Sequence, residues 1–154
     1  MAINFTSSDS GAEPYRQFDY TVEIGGTEIA GFTQVSGISV ETDVMEYREG
    51  GVHDATHKFP NATTQSNVQL HRGVTKHDDL IKWITQSMTI AREDAQKDVV
   101  ISMKDVDGKT VWGFKLKNCY PVKWAGPEMT ASASEFAMEF VELSYESLEL
   151  IKSG

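Results

Sequence analysis

Lys97–Cys119, "KDVVISMKDVDGKTVWGFKLKNC", decides the fold. It reads as two strands joined at Asp107-Gly108, because Asp-Gly supplies the positive φ angles of turns that match the twist of paired strands. No other dipeptide in the chain signals a hairpin so strongly. Upstream, Thr75 opens a Thr-x-x-Asp start with Asp78, and Leu80, Trp83, Ile84 and Met88 recur at helical spacing. That pattern predicts one helix over about 76–90.

Before the helix the period is two. In "FDYTVEI", Phe18, Tyr20, Val22 and Ile24 point one way and Asp19, Thr21 and Glu23 the other, which predicts a half-buried strand. Gly25-Gly26 is a turn signal, and "TEIAGFTQV" continues the sheet. "ISVETDVMEY" alternates through Ile38, Val40, Thr42 and Val44, with Glu41 and Asp43 opposite, and "SNVQLHRGV" resumes the strand pattern. Between Arg48 and Gln65 the apolar pattern fades. Gly50-Gly51, Pro60 and Asn61 mark a long loop or a splayed hairpin tip, centred on about 45–62. Residues 1–14, rich in Ser, Asp, Gly and Ala, read as a flexible arm before a single domain over 15–154.

Downstream, "ASEFAMEFVELSYESLEL" is ambiguous. Glu135, Glu139, Glu142, Glu146 and Glu149 are spaced four, three, four and three apart, on one helical face. As a strand, Phe136, Met138 and Phe140 share one face but Val141, Leu143 and Tyr145 the other, so a bulge near 140–141 or burial on both faces is required. The whole is mainly β: six or more short strands with one helix, a small sandwich or barrel.

With 154 residues and a 40% hydrophobic fraction the chain can bury a real core, and a formal charge of −9 argues against gripping nucleic acid. A single cysteine, Cys119, excludes an internal disulfide and suggests a reducing compartment. The first residues have no basic start followed by an apolar run, and no stretch approaches the ~18 apolar residues of a membrane span. A soluble, cytoplasmic chain is expected.

Catalytic motifs are scarce. "DGKT" at 107–110 resembles the end of a phosphate loop, but Met103 stands where its first glycine belongs, and "DVDG" lacks the further ligands of a calcium loop. His53 and His57 are four apart but lie in a loop without a third ligand. Cys119 reads as a small buried residue rather than a nucleophile, and no Gly-x-Ser-x-Gly turn is present. No metal, cofactor or catalytic residue is assigned, and the expectation is a non-enzyme. What remains is surface: six glutamates and no Lys or Arg over 128–150, and "VMEYREGG", which puts Tyr47 and Arg48, both favoured at interfaces, on a projection.

Five stretches carry a resemblance: "PYRQFDYTVEIGG" (14–26), "IAGFTQVSGISVETDVMEYREGG" (29–51), "HKFPNAT" (57–63), "VQLHRGVTKHDDLIKWI" (68–84) and "KNCYPVKWAGPEMTASASEFAMEFVELSYESLEL" (117–150). In this order they resemble the tail tube (inner tube) proteins of contractile phage tails and extracellular contractile injection systems, relatives of the type VI secretion tube protein. The resemblance implies an antiparallel barrel or sandwich of two packed sheets with one flanking helix, and a strand rather than a helix over 135–150. It implies rings of six that stack into a hollow tube carrying protein cargo or DNA. Sheath subunits would surround the tube, baseplate, spike and terminator proteins would close its ends, and no subunit would insert stably in a membrane. The protein would be assembled in the bacterial cytoplasm and become part of a released particle or virion tail. Under that reading, Glu46, Tyr47, Arg48, Glu49, Gly50, Gly51 and Lys58 meet a neighbouring copy. Glu135, Glu139 and Glu142 form an acidic lumen face, and Arg72 and Lys76 face the sheath. The alternatives are a type VI-like effector carrier, or a monomeric β-barrel module with an apolar ligand pocket.

Overall fold

The structure, a computed structural model, describes residues 19–51, 56–89, 92–132 and 135–152. The expected arm at 1–14, Phe18 and His53 lie outside these residues. Among the described residues, ten strands and two helical segments follow in the order β1 (Tyr20–Ile24), β2 (Thr27–Ile29), β3 (Phe32–Ser36), β4 (Val40–Arg48), β5 (Thr56–Gln65), β6 (Val68–Gly73), α1 (Asp79–Thr89), α2 (Arg92–Ala95), β7 (Lys97–Lys104), β8 (Thr110–Ala125), β9 (Met138–Ser144) and β10 (Ser147–Lys152).

Every pairing is antiparallel, and β8 is the hinge of the architecture. Its first half pairs β7 on one side and β10 on the other; with β1 and β2 beyond β7, these strands form a first sheet. Its second half pairs β9, which continues through β6 to β3 as a second sheet. The strand turns from one sheet into the other at Asn118, the one non-glycine residue with positive φ (54°) among the described residues. Asn tolerates this left-handed conformation because its short polar side chain bonds locally. Here Asn118 Nδ2 donates to Glu146 Oε2 at 2.6 Å and its N–H to Asp98 Oδ1 at 3.2 Å. The neighbouring strand breaks at the same level, between β9 and β10, where Glu146 N–H donates to the Lys117 carbonyl at 3.0 Å.

The 135–150 ambiguity thus resolves as two strands. No bulge falls at 140–141; the β6–β9 register is continuous, and the irregularity lies in β8, between Pro121 and Lys123. Glu139, Val141 and Leu143 face inward, joining Val22, Ile24, Val68, Leu70, Val99, Ile101 and Leu116 in one core between the sheets. Helix α1 adds Leu80, Trp83 and Ile84 to that core, and the buried Trp83 Nε1 donates to the Ala95 carbonyl at 2.7 Å. The helix begins at Asp79, later than expected, because the Thr75 hydroxyl accepts from His77 N–H in a turn of its own, and the Asp78 carbonyl takes the first helical bond, from Lys82 N–H.

The segment expected as a loop or splayed hairpin from Arg48 to Gln65 contains a ten-residue strand, β5. Threonine-rich and largely without core contacts, it shows no apolar alternation, which is why the sequence pattern fades there. Pro60 is tolerated because β5 pairs on one side only, with β4.

Candidate assembly surfaces

Strands β4 and β5 form an arm that leaves the body at Gly37. This glycine has φ 85°, and a Cβ there would sit 2.6 Å from the Asn67 carbonyl oxygen. Beyond it, Ser66 N–H donates to the Ser39 carbonyl and the two serine hydroxyls bond each other at 2.6 Å, tying the base of the arm. All nineteen residues of the two strands are exposed. A two-stranded hairpin alone is at best marginally stable in water, so an arm of this length calls for a partner.

Its two faces differ. Register places Met45 opposite Phe59 and Tyr47 opposite His57 on one face, with the His57 and Phe59 rings 6.5 Å apart. The other face pairs Val44 with Pro60, Glu46 with Lys58 and Arg48 with Thr56. Glu46, Tyr47, Arg48, Glu49, Gly50, Gly51 and Lys58 are therefore brought together at the distal part of the arm. Lys58 Nζ already lies 3.8 Å from Glu46 of the same arm, an exposed pair of small energetic value, while Arg48 has no ion pair among the described residues.

The three candidate lumen glutamates are not brought together. Helical spacing would have stacked them; the strand period of two sends Glu139 inward and Glu142 outward, and Glu135 falls in the connection before β9. Glu139 is a correction: it is 4% exposed and inside the second sheet. Arg72, expected outside, is 1% exposed beside it. Arg72 Nε donates to Glu139 Oε1 at 2.6 Å, Trp124 Nε1 donates to Glu139 Oε2 at 3.1 Å, and Arg72 Nη2 donates to the His77 carbonyl at 3.3 Å. The guanidinium also lies over the Phe32 ring, 5.9 Å from its centre.

The outward face of the second sheet is polar. Gln34 and Ser36 of β3, Gln69 and His71 of β6, Glu142 of β9 and Lys123 of β8 lie there, with Phe140 between the His71 ring at 5.3 Å and the Lys123 ammonium at 5.5 Å. Two edges of this sheet carry no strand among the described residues: β3, and the far side of Pro121–Ala125. Pro121 suits such an edge.

Sequence reasoning missed the connection between β8 and β9. Met129 and Phe136 are almost fully exposed there and, with Glu128, Glu135 and Met138, line a groove. Gly126-Pro127 is the sequence signal that marks the break after β8. An apolar cleft of about 450 Å³ also lies between β3 and the first sheet, walled by Tyr20, Val35, Met103, Trp112 and Phe114. It holds no charged side chain. Cys119 is buried, its thiol donating to the Leu116 carbonyl, and burial pushes its pKa up to about 12, so it is no nucleophile at neutral pH. No group of three potential metal ligands exists among the described residues, and no described helix is long and apolar enough to cross a membrane.

A model of the T4-like virus tail tube protein gp19 family matches residues 16–149. The chain belongs to that family. It is a tail tube protein by descent, with two antiparallel sheets flanked by helix α1. Its fold is similar to a chain in the cryo-EM structure of the anti-feeding prophage cap (AFP tube terminating cap), with TM-score 0.84, 23% identity, and coverage of 98% of this chain and 100% of that one. It is similar to a chain of the PVC sheath-tube complex of an extracellular contractile injection system in its extended state, with TM-score 0.81, 23% identity, and coverage of 98% and 100%. Hcp1 from Flavobacterium johnsoniae is a more distant likeness, with TM-score 0.54, 15% identity, and coverage of 86% and 94%. Among curated protein sequences none matches the chain.

Proposed function

We propose that this chain is the subunit of the hollow inner tube of a contractile injection particle or phage tail, six copies to a ring, and that it acts without catalysis. The observation that carries this is the arm: nineteen exposed strand residues that pair only with each other, projecting from a body whose second sheet has two open edges among the described residues. Joining β3 of one copy to the second half of β8 in the next would extend the sheet around a ring and remove both edges. Four strands from each of six copies, spaced about 4.8 Å, give a circumference of roughly 115 Å and a backbone diameter of roughly 37 Å before strand tilt.

The outward face of the second sheet then lines the channel. It presents one Lys, one Glu, one His and a band of amides, close to balanced in charge, in place of the acidic wall expected from Glu135, Glu139 and Glu142. A polar, weakly charged lining lets protein cargo or DNA pass without binding tightly. Sheath subunits surround the tube, and baseplate and terminator proteins close it, as in the particles that contain the similar folds. Assembly precedes release, in the bacterial cytoplasm. The arm residues Tyr47 and Arg48 contact a neighbouring copy.

Replacing Tyr47 and Arg48 together with Ala is expected to leave the circular dichroism spectrum unchanged while abolishing stacked assemblies in sedimentation. Stacking that survives intact contradicts the role given to the arm. Glu142→Lys is expected to change the channel's charge and leave rings intact.

A further inference from the structure

We propose that Trp124 of each copy packs into the apolar cleft beside β3 of the next copy in the ring, making the two cores continuous. This contact rests on the tube reading above and names the side chain that fills the cleft. The second sheet consists of β8, β9, β6 and β3, each antiparallel to the one before. Its two end strands therefore run in opposite directions. A rotated second copy brings its β8 beside β3 in the antiparallel sense too, and an interface of unlike surfaces can close into a ring.

One row of inward-facing side chains crosses this sheet. Register pairs Trp124 with Val141, Val141 with Leu70, and Leu70 with Val35. In the middle of the row Val141 is 0% and Leu70 1% exposed. At one end Trp124 is 39% exposed; at the other, Val35 is only partly buried and forms a wall of the cleft. The row thus carries a large projecting side chain at one end and an open apolar space at the other. A slip of one residue would turn Trp124 toward the channel, so the stagger that closes the ring keeps it inward.

The side chain is set before it meets its partner. Trp124 Nε1 is held by Glu139 of the same copy at 3.1 Å, and Gly126 leaves room for the indole, since a Cβ there would lie 2.9 Å from its Cη2 atom. A ring fixed in advance loses little rotamer freedom on binding. The cleft of about 450 Å³ has no charged wall, and its Trp112 and Phe114 rings meet edge-on at 4.6 Å. Aromatic walls suit an aromatic guest, and Trp is enriched among the residues that dominate interfaces.

The test is hydroxyl-radical footprinting of the wild-type protein, as dilute monomer and as assembled rings, read by peptide mass spectrometry. Oxidation of Trp124, and of Met103 and Trp112 in the cleft, is expected to fall several-fold in the rings. Rings in which Trp124 stays as reactive as in the monomer overturn the proposal, and so do cleft residues already protected in the monomer, which would show that the chain fills its own cleft. Edge joining is read separately with a Gln34→Cys/Ala125→Cys variant, two positions that share the neighbouring row through His71 and Phe140. A short bismaleimide is expected to give a ladder on a denaturing gel that closes at six, with monomers only from each single variant; Cys119 is buried and does not react in the native state. That ladder without protection of Trp124 keeps the joined edges and overturns the contact proposed here. Rings without a ladder overturn it too, because the row is then broken between copies. Failure of the wild type to form rings at all removes the tube reading, and this contact with it.

Discussion

Glu139 accepts from Arg72 on β6 and Trp124 on β8 while sitting on β9 itself, so one buried carboxylate ties three strands of the second sheet. Removing one partner of such a pair strands the other charge in the core. Glu139→Ala is therefore expected to cost about 3–5 kcal/mol in chemical denaturation, whereas an Arg72→Met/Glu139→Leu double variant of similar volume is expected to lie near the wild type. Equal losses in both would show that the pair itself, and not the orphaned charge, carries the stability. Cys119 offers a pH test. Burial raises its folded pKa from the ordinary 9.0 to about 12. Only the unfolded thiol ionises in that interval, so the contribution is fully present below pH 9.0 and is lost as pH rises toward about 12. The denaturation midpoint of the wild type is expected to fall more steeply above pH 9.0 than that of Cys119→Ala; parallel slopes would show that the buried thiol does not set this dependence.

The corner at Asn118 is where local conformation, strand pairing and the two-sheet architecture meet. A β-branched side chain is disfavoured in the left-handed conformation, and Asn118→Val also removes the bond to Glu146, so a loss of at least about 1–2 kcal/mol is expected in thermal unfolding, with Asn118→Gly milder. Unchanged stability of the Val variant would remove the corner from the account. Elements with one face in the core were legible: β1 with Val22 and Ile24, α1 with Leu80, Trp83 and Ile84, and the Asp107-Gly108 turn were all visible as periods or turn chemistry. β5 was not, because a strand with no buried face needs no alternation. The glutamate spacing misled for a related reason: 139 and 142 share a helical face but opposite strand faces, and residues alone cannot show that Arg72 waits inside for one of them. The tip of the arm was legible as an aromatic-arginine pair on a projection. The exposed Met129 and Phe136 of the β8–β9 connection were not, since an exposed apolar side chain reads like a core one.

At the scale of the whole molecule, the open edges, the bare arm and the polar outer face of the second sheet all describe a subunit designed to be completed by copies of itself. The family places it among tail tube proteins, and the open edges and bare arm support the proposed way the copies meet. The most direct measurement is negative-stain electron microscopy of the purified protein over rising concentration, with class averages of end-on views. Hollow six-fold rings that stack into tubes of uniform bore are the predicted result. A monomer at every concentration, or rings of another symmetry, would contradict it.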